Sequence, residues 1–285
     1  GTMKDNVLGL KAVMPSGEVM TSAARARKTS AGYDLTRLMV GSEGTLGLST
    51  ELTLRLHGQP EAIQGAICSF PDIDAACRVA MAVVQYGLPV ARMELLDALQ
   101  VRACNAYSGL SLPEAPLLLL EFHGSEAGVA EQAATFGEIA QAEGGQGFQT
   151  ASEEEARTKL WQARHDAYWA SLALRKGASG ISTDVCVPVS RLAECVTAAQ
   201  AKLAELGFIA PIVGHVGDGN FHVLLLLDMD DPGEVPRAEG FVGWLNEMAI
   251  GMDGTCTGEH GIGQGKARYL GRELGPEALA VMAAV

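Results

Sequence analysis

The sequence has no Cys-x-x-Cys pair. Its six cysteines, Cys68, Cys77, Cys104, Cys186, Cys195 and Cys256, stand apart. That spacing removes zinc ribbons and thioredoxin-like motifs, and in a chain of this size the cysteines read as thiols kept reduced. No apolar run comes near the roughly 20 residues of a membrane-spanning helix; the longest, Leu117–Leu120 and Val223–Leu227, have strand length. Positive charge is scarce, with 21 lysines and arginines against 34 aspartates and glutamates and a net charge of −13. Nucleic-acid binding and bulk-charge docking on anionic lipid are therefore not expected, since both need a basic face. A small anion is not excluded, because one arginine in a buried site outweighs a distant surface field. No secretory h-region follows Lys4, and no internal repeat or low-complexity linker is visible.

What is present is a globular composition, 48% hydrophobic and 19% charged over 285 residues, enough for about two domains. Residues 7–14 and 18–22 read as strands around the turn Pro15-Ser16-Gly17. Leu46–Leu56 alternates like a half-buried strand with Leu48, Leu52, Leu54 and Leu56 on one face, and His57-Gly58-Gln59-Pro60 then breaks the pattern. The expected domains are 1–58 and 59–285. From Glu61 the chain alternates strands (62–70, 90–95, 117–122, 181–187, 209–215, 221–227) with helices (72–86, 97–107, 125–143, 190–206, 236–250). One long helix, capped by Ser152, is expected to reach Leu174. This order predicts an α+β domain with helices on one face of a mixed sheet. Both ends read as cuts: a strand begins almost at once at Val7, and an alanine-rich helical pattern stops at Val285.

Two segments concentrate chemistry. In Gly214–His222, Asp218-Gly219 signals a two-residue hairpin, which would set His215 opposite His222. Directly opposed residues share a face, and two imidazoles so placed chelate one cation. The alternative is a structural cross-strand contact. A third ligand is needed for firm binding, and Glu259 in Gly258-Glu259-His260-Gly261 is the candidate, with His260 beside it as acid or base; the alternative is that both are ordinary surface-loop charges. Two histidines, one glutamate and an open position suit zinc or manganese. Gly41-Ser42-Glu43-Gly44-Thr45-Leu46-Gly47 is either a phosphate cradle or a tight turn. It is not Gly-x-Gly-x-x-Gly, and Gly261–Lys266 is not a P-loop. On the long helix, Leu160, Arg164, Tyr168 and Leu172 form one stripe, so Arg164 either snorkels or grips a carboxylate. Trp161, His165 and Trp169 form a neighbouring stripe suited to packing.

The phrases TDVCVPVSRL (183–192), IVGHVGDGNFH (212–222) and GTCTGEHGIGQGK (254–266), together with Gly41–Gly47, resemble the flavin-linked 2-hydroxy-acid dehydrogenases of the vanillyl-alcohol oxidase superfamily. The branch is that of the cytochrome-type D-lactate dehydrogenases, the glycolate oxidase flavin subunit and D-2-hydroxyglutarate dehydrogenase. The resemblance implies the second half of a FAD-binding domain over 1–58, then a ferredoxin-like cap over 59–285 whose last segment returns to the flavin. It implies FAD at Tyr33, Asp34, Gly41, Ser42, Glu43, Gly44 and Thr45, and a divalent metal at His215, His222 and Glu259. It also implies Arg164 on the substrate carboxylate, Asn220 in the active site and His260 as base. The activity so implied is FAD- and metal-dependent oxidation of a small D-2-hydroxy acid, D-lactate-like, to the 2-oxo acid. Hydride would pass to flavin N5 and electrons to a separate cytochrome, quinone or electron-transfer flavoprotein. A metal lowers the pKa of a bound hydroxyl, so a histidine takes its proton near neutral pH.

The chain departs from that pattern. The pyrophosphate-wrapping glycine loop, the Ala-Thr-Asn-Ala-Gly-Gly-like stretch and the Asn-Pro-Gly-Lys-like ending are absent, so the chain is expected to be the C-terminal part of such a protein. Ser182 stands where the hydroxyglutarate branch has a lysine, which favours a monocarboxylate. The expected location is cytoplasmic or peripheral to an inner membrane, and a homodimer is compatible. Two other classes stay open: a metal hydrolase using the same His-His-Glu set, and a non-catalytic metal-binding cap fragment.

Overall fold

Pro15, Ser16 and Gly17 turn the chain sharply: Gly17 sits at φ +85°, and its N–H donates to Met14 O at 2.8 Å. In the computed structural model, which describes residues 2–26 and 28–285, this hairpin belongs to the first of two units. That unit is Gly1–Gln59 with Glu259–Ala267, and the second is Pro60–Gly258 with Arg268–Val285. The first unit holds helix α1 (Met3–Asn6), strands β1 (Val7–Val13) and β2 (Val19–Thr21), helix α2 (Leu35–Met39) and strand β3 (Leu48–Leu54). The strands pair antiparallel in the order β2-β1-β3. Leu48, Leu52, Leu54 and Leu56, expected to be half-buried, are all exposed, because the unit's small core of Leu10, Ala12 and Met39 gathers on β1 and α2.

The second unit follows the expected alternation: β4 (Ala62–Ser69), α3 (Ile73–Gln85), β5 (Val90–Leu96), α4 (Ala98–Ser108), β6 (Leu117–Gly124), α5 (Glu126–Ala142) and β7 (Gln146–Ala151). Then come α6 (Glu154–His165), α7 (Ala167–Ala173), β8 (Ser179–Ser182), β9 (Val185–Cys186), α8 (Leu192–Leu206), β10 (Ile212–Gly214), β11 (Asn220–Leu227), α9 (Glu234–Gly251) and α10 (Leu270–Ala284). Local chemistry sets the helix ends. Asp72 accepts from Ala75 N and Asp97 from Gln100 N, each at 2.7 Å, satisfying donors that the first turn leaves open. Gly109 and Gly207 close α4 and α8 at positive φ.

The strand order is β7-β4-β6-β5-β10-β11-β8, with β9 also on β11. Within it, β4-α3-β5-β6-α5-β7 has the ferredoxin-like order β7-β4-β6-β5. All the described pairings are antiparallel, so the sheet is not mixed. Helices also cover both faces rather than one. Leu118, Leu120 and Phe122 join the core of α3, α5, α8 and α9, whereas Leu117 and Leu119 join that of α4, α6 and α7. Burial on both sides explains why Leu117–Leu120 shows no polar alternation. The polar strand β7 carries no such apolar signal, and its Gly147 sits at φ +61°.

The helix expected from Ser152 to Leu174 is two. Asp166 ends α6 and starts α7, with backbone angles of −85° and −6°, and its carboxylate accepts from Gln162 Nε2 at 2.7 Å. Glu153, not Ser152, occupies the cap position. Burial pushes the Cys77 and Cys195 thiols up to about 12, which leaves them unreactive. Among the described residues no helix is long and apolar enough to cross a membrane.

Burial also raises the Asp97 carboxyl from 3.8 to about 7, although the N–H groups of Gln100 and Ile212 oppose the shift. The folded value lies above the unfolded one. The stability this group contributes is therefore complete below about pH 4 and is lost as pH rises toward and past about 7. Asp97→Asn keeps a capping oxygen and removes the titration. Its denaturant midpoint should gain on the unsubstituted chain as pH is raised from about 5 to about 8; a constant difference between the two would count against this.

Candidate functional site

The site of the second unit is built by sheet register. Strand β10 pairs Val213 with Leu96 and Gly214 with Leu95 of β5, and Val213 with His222 of β11. One step on, His215 comes opposite Glu94. The expected two-residue hairpin is not formed. Val216–Asp218 make a single 3-10 turn, with Val216 buried and Gly219 at φ +79°, so His222 faces Val213 rather than His215. The shift is two residues, and side chains alternate with period two, so both histidines stay on one face as diagonal neighbours. Their ring centroids are 5.8 Å apart at 86°, and a ring nitrogen of each lies within 4.8 Å of the other. Gly214 permits this turn: a Cβ there would stand 2.6 Å from Phe221 Cβ and 2.7 Å from Asn220 O.

Both rings are oriented from behind. His222 Nδ1 meets Thr183 O at 3.0 Å, and since a carbonyl only accepts, Nδ1 carries the hydrogen. His215 Nδ1 meets Glu94 Oε1 at 2.6 Å with the same consequence. In both rings Nε2 then carries the lone pair, the arrangement found in metal-ligating histidines held by a carbonyl or carboxylate. This donor chemistry fits a divalent cation. Strand β8 and strand β9 share one register along β11, Leu224 with Ser182 and Phe221 with Val185, which brings Asp184 opposite His222. Asp184 is fully buried; Asn220 Nδ2 donates to its Oδ1 at 2.8 Å and Thr257 Oγ1 to its Oδ2 at 3.1 Å. Asn220 Nδ2 also donates to Val185 O, so its amide orientation is set, and its buried Oδ1 has no donor among the described residues. An orphaned buried acceptor of this kind marks a place for a ligand or an ordered water.

Arg164, in the last turn of α6, is partly buried and already engages a carboxylate of the chain itself. Its Nε donates to Glu94 Oε2 at 2.8 Å, and its Nη2 lies 3.5 Å from His215 Nε2. The expected stripe through Tyr168 and Leu172 is interrupted by the break at Asp166. Of the neighbouring stripe only Trp161 is a core residue, under the Arg92 guanidinium at 4.1 Å; His165 and Trp169 are exposed. The sequence reading passed over Glu94, Asp184 and the Thr183 carbonyl. Their signal was present in Glu94, a lone acid in the apolar run Met93-Glu94-Leu95-Leu96, and in Asp184, a lone acid in Thr183-Asp184-Val185.

The other expected site residues belong to the first unit. Asp34 caps α2 through Arg37 N at 2.9 Å, and Tyr33 is exposed. In the 41–47 turn Gly41, Glu43 and Gly44 have positive φ. The N–H groups of Ser42 and Thr45 are taken by Met39 O and Ser42 O. Nothing lies within 4 Å of a Cβ built on Gly44. An exposed aromatic ring and an open glycine turn fit the edge of a large planar cofactor. Glu43 joins the turn to the 259–267 segment by accepting from Ile262 N at 2.7 Å and Gly263 N at 2.9 Å. Glu259 and His260 open that segment, 4.0 Å apart, directly after Gly258 in the chain.

Residues 59–285 match the family described as FAD linked oxidases, C-terminal domain. The chain is 49% identical to "Probable D-lactate dehydrogenase, mitochondrial" of Danio rerio, over 99% of this chain and 57% of that protein. It is 46% identical to "D-lactate dehydrogenase [cytochrome], mitochondrial" of Arabidopsis thaliana, over 99% of this chain and 50% of that protein. It therefore spans about half the length of these relatives. Among solved structures, p-cresol methylhydroxylase with substrate bound aligns with a TM-score of 0.71 at 14% identity, covering 98% of this chain and 61% of that one; this likeness is one of fold.

Gly258 tests the local packing. A Cβ there would lie 2.2 Å from Asn220 Nδ2 and 3.1 Å from Asp184 Oδ1. Gly258→Ala should cost about 1–3 kcal/mol, as overpacking does. The cost should shrink in an Asn220→Ala background, measured as a double-mutant cycle in denaturant. An equal cost in both backgrounds would place the clash elsewhere.

Proposed function

This chain belongs to the family of FAD-linked oxidases, through their C-terminal domain, and from that premise we propose that it oxidises a small D-2-hydroxy acid of the D-lactate type to the 2-oxo acid. The observation that carries the proposal is the pair His215 and His222, each held through Nδ1 by its own acceptor so that Nε2 serves as ligand. Glu259, tethered to Gly258 beside Asn220, is proposed as the third ligand. FAD supplies the two-electron acceptor, and a divalent zinc or manganese ion the charge that makes the substrate hydroxyl acidic.

The chain's own residues do the rest. Arg164, anchored through Nε, presents its Nη donors to the substrate carboxylate. His260 accepts the hydroxyl proton on an imidazole nitrogen as the carbon loses its hydride. Asn220 Oδ1, buried and without a protein donor, accepts a hydrogen bond from the bound ligand. Tyr33, Asp34, Gly41, Ser42, Glu43, Gly44 and Thr45 are proposed to contact the flavin. Ser182 brings no cation for a second carboxylate, so a monocarboxylate is favoured. The acceptor is proposed to be of the cytochrome type, after the printed name of the Arabidopsis relative.

In the full flavin-containing protein, D-lactate should bleach the flavin absorbance under anaerobic conditions. A flavin left oxidised by D-lactate, glycolate and other small D-2-hydroxy acids alike would overturn the assignment. Arg164→Lys should raise KM by about tenfold or more with the fold intact, because a point charge does not replace a planar fork and a lost charged hydrogen bond costs about 1.5–3 kcal/mol; an unchanged KM would remove Arg164 from the carboxylate.

A further inference from the structure

We infer that Glu94 is a positioning residue that sets the metal-binding His215 and the carboxylate-binding Arg164 with a single side chain. The inference rests on the reading of those two residues given above. Glu94 lies in β5 between Met93, Leu95 and Leu96, all buried, and is itself 6% exposed. A carboxylate in such a run is costly unless each oxygen is answered. Both are: Oε1 receives His215 Nδ1–H at 2.6 Å and Oε2 receives Arg164 Nε–H at 2.8 Å.

Three consequences follow. The ring of His215 is held as the tautomer whose Nε2 bears the lone pair, and a carboxylate behind it raises its basicity as a ligand. The guanidinium is gripped at its Nε end with Nη2 3.5 Å from His215 Nε2, so an anion bound beside that ring would meet the Nη donors. With a cation bound, the negative charge would also sit between two positive ones. Arg164 Nη2 is 3.5 Å from His215 Nε2, so a cation on that nitrogen would stand beside an arginine, and Glu94 offsets their repulsion. Cation affinity and substrate-carboxylate affinity are thereby linked through one residue, and both weaken when it is neutralised.

The same sheet face supplies a control. Glu121 has the same kind of partners, Arg92 Nη2 at 2.7 Å and His123 Nε2 at 2.7 Å. Those partners are exposed, at 47% and 40%, against 25% and 32% for Arg164 and His215. This second set is a surface ion cluster with no place in the proposed chemistry.

The test titrates the full protein, stripped by chelator, with Mn²⁺ or Zn²⁺ alone, and separately follows steady-state turnover of D-lactate. Glu94→Gln should weaken cation binding about 10–100-fold, the range for lost partners behind a metal ligand. It should also raise KM more than it lowers kcat, while Glu121→Gln leaves cation affinity within about twofold. Glu94→Asp keeps the charge, serves as the second variant should Glu94→Gln fail to fold, and is one methylene too short to reach both partners. It should recover cation affinity or KM but not both. Unchanged cation affinity in Glu94→Gln, where His215→Ala abolishes binding, would overturn the inference and leave the metal reading standing. Full recovery of both properties by Glu94→Asp would overturn the bridging geometry. If the unsubstituted protein takes up no cation, the reading of His215 fails and the inference fails with it.

Discussion

Strand β10 is three residues long, and the site depends on how it is paired. One edge meets β5 and the other meets β11. The first pairing carries His215 to Glu94 and, through Glu94, to Arg164; the second carries His222 to the same face. Side chains alternate across a sheet, so a slip of one residue on either edge would send a histidine into the opposite core. That core is formed by Phe221, Val223 and Leu225 under α8 and α9, and an imidazole there would have no acceptor of its own. Hydrophobic burial on the far face therefore enforces polar geometry on the near one.

Local charge answers a problem posed by the whole chain. A protein of net charge −13 repels a carboxylate substrate and a phosphate-bearing cofactor at long range. The two buried acids of the second unit's site do not add to that repulsion. Glu94 faces an arginine and an imidazole N–H, and Asp184 faces an amide and a hydroxyl. Each buried negative charge is answered within hydrogen-bond distance, so an incoming anion meets the guanidinium of Arg164 rather than a bare carboxylate. At such distances a partner outweighs many screened surface charges.

Much of this was legible in the residues. Alternation, caps and glycine stops placed nearly all the elements of the second unit, because Asp72, Asp97 and Ser125 act through contacts three residues away. The phrase IVGHVGDGNFH carries His215, Asn220 and His222 together, so their nearness in space was legible from the chain alone. What escaped was non-local. Asp218-Gly219 suggests a two-residue hairpin, yet burial of Val216 tightens the segment into a 3-10 turn and moves the register by two. Helices on both faces were hidden because Leu117–Leu120 is apolar throughout and no single strand reports what covers each side. Glu94 was overlooked because a lone acid in an apolar strand gains meaning only when the register supplies its partners, seventy and more residues away.

The buried amide of Asn220 shows how such a site differs from an ordinary core. Its nitrogen is doubly answered, by Asp184 and Val185, while its oxygen has no donor among the described residues. Asn220 Nδ2 occupies the space a Gly258 side chain would need. An apolar residue of the same shape would remove the unsatisfied acceptor but also the donor that answers buried Asp184, so the structure explains the amide nitrogen and not the oxygen. The arrangement makes sense when a donor arrives from outside the protein, and it sits two residues before His222 on the same strand and face. The orphaned oxygen therefore lies on the strand face that carries His222, where a ligand held by the proposed imidazole pair would supply the missing donor.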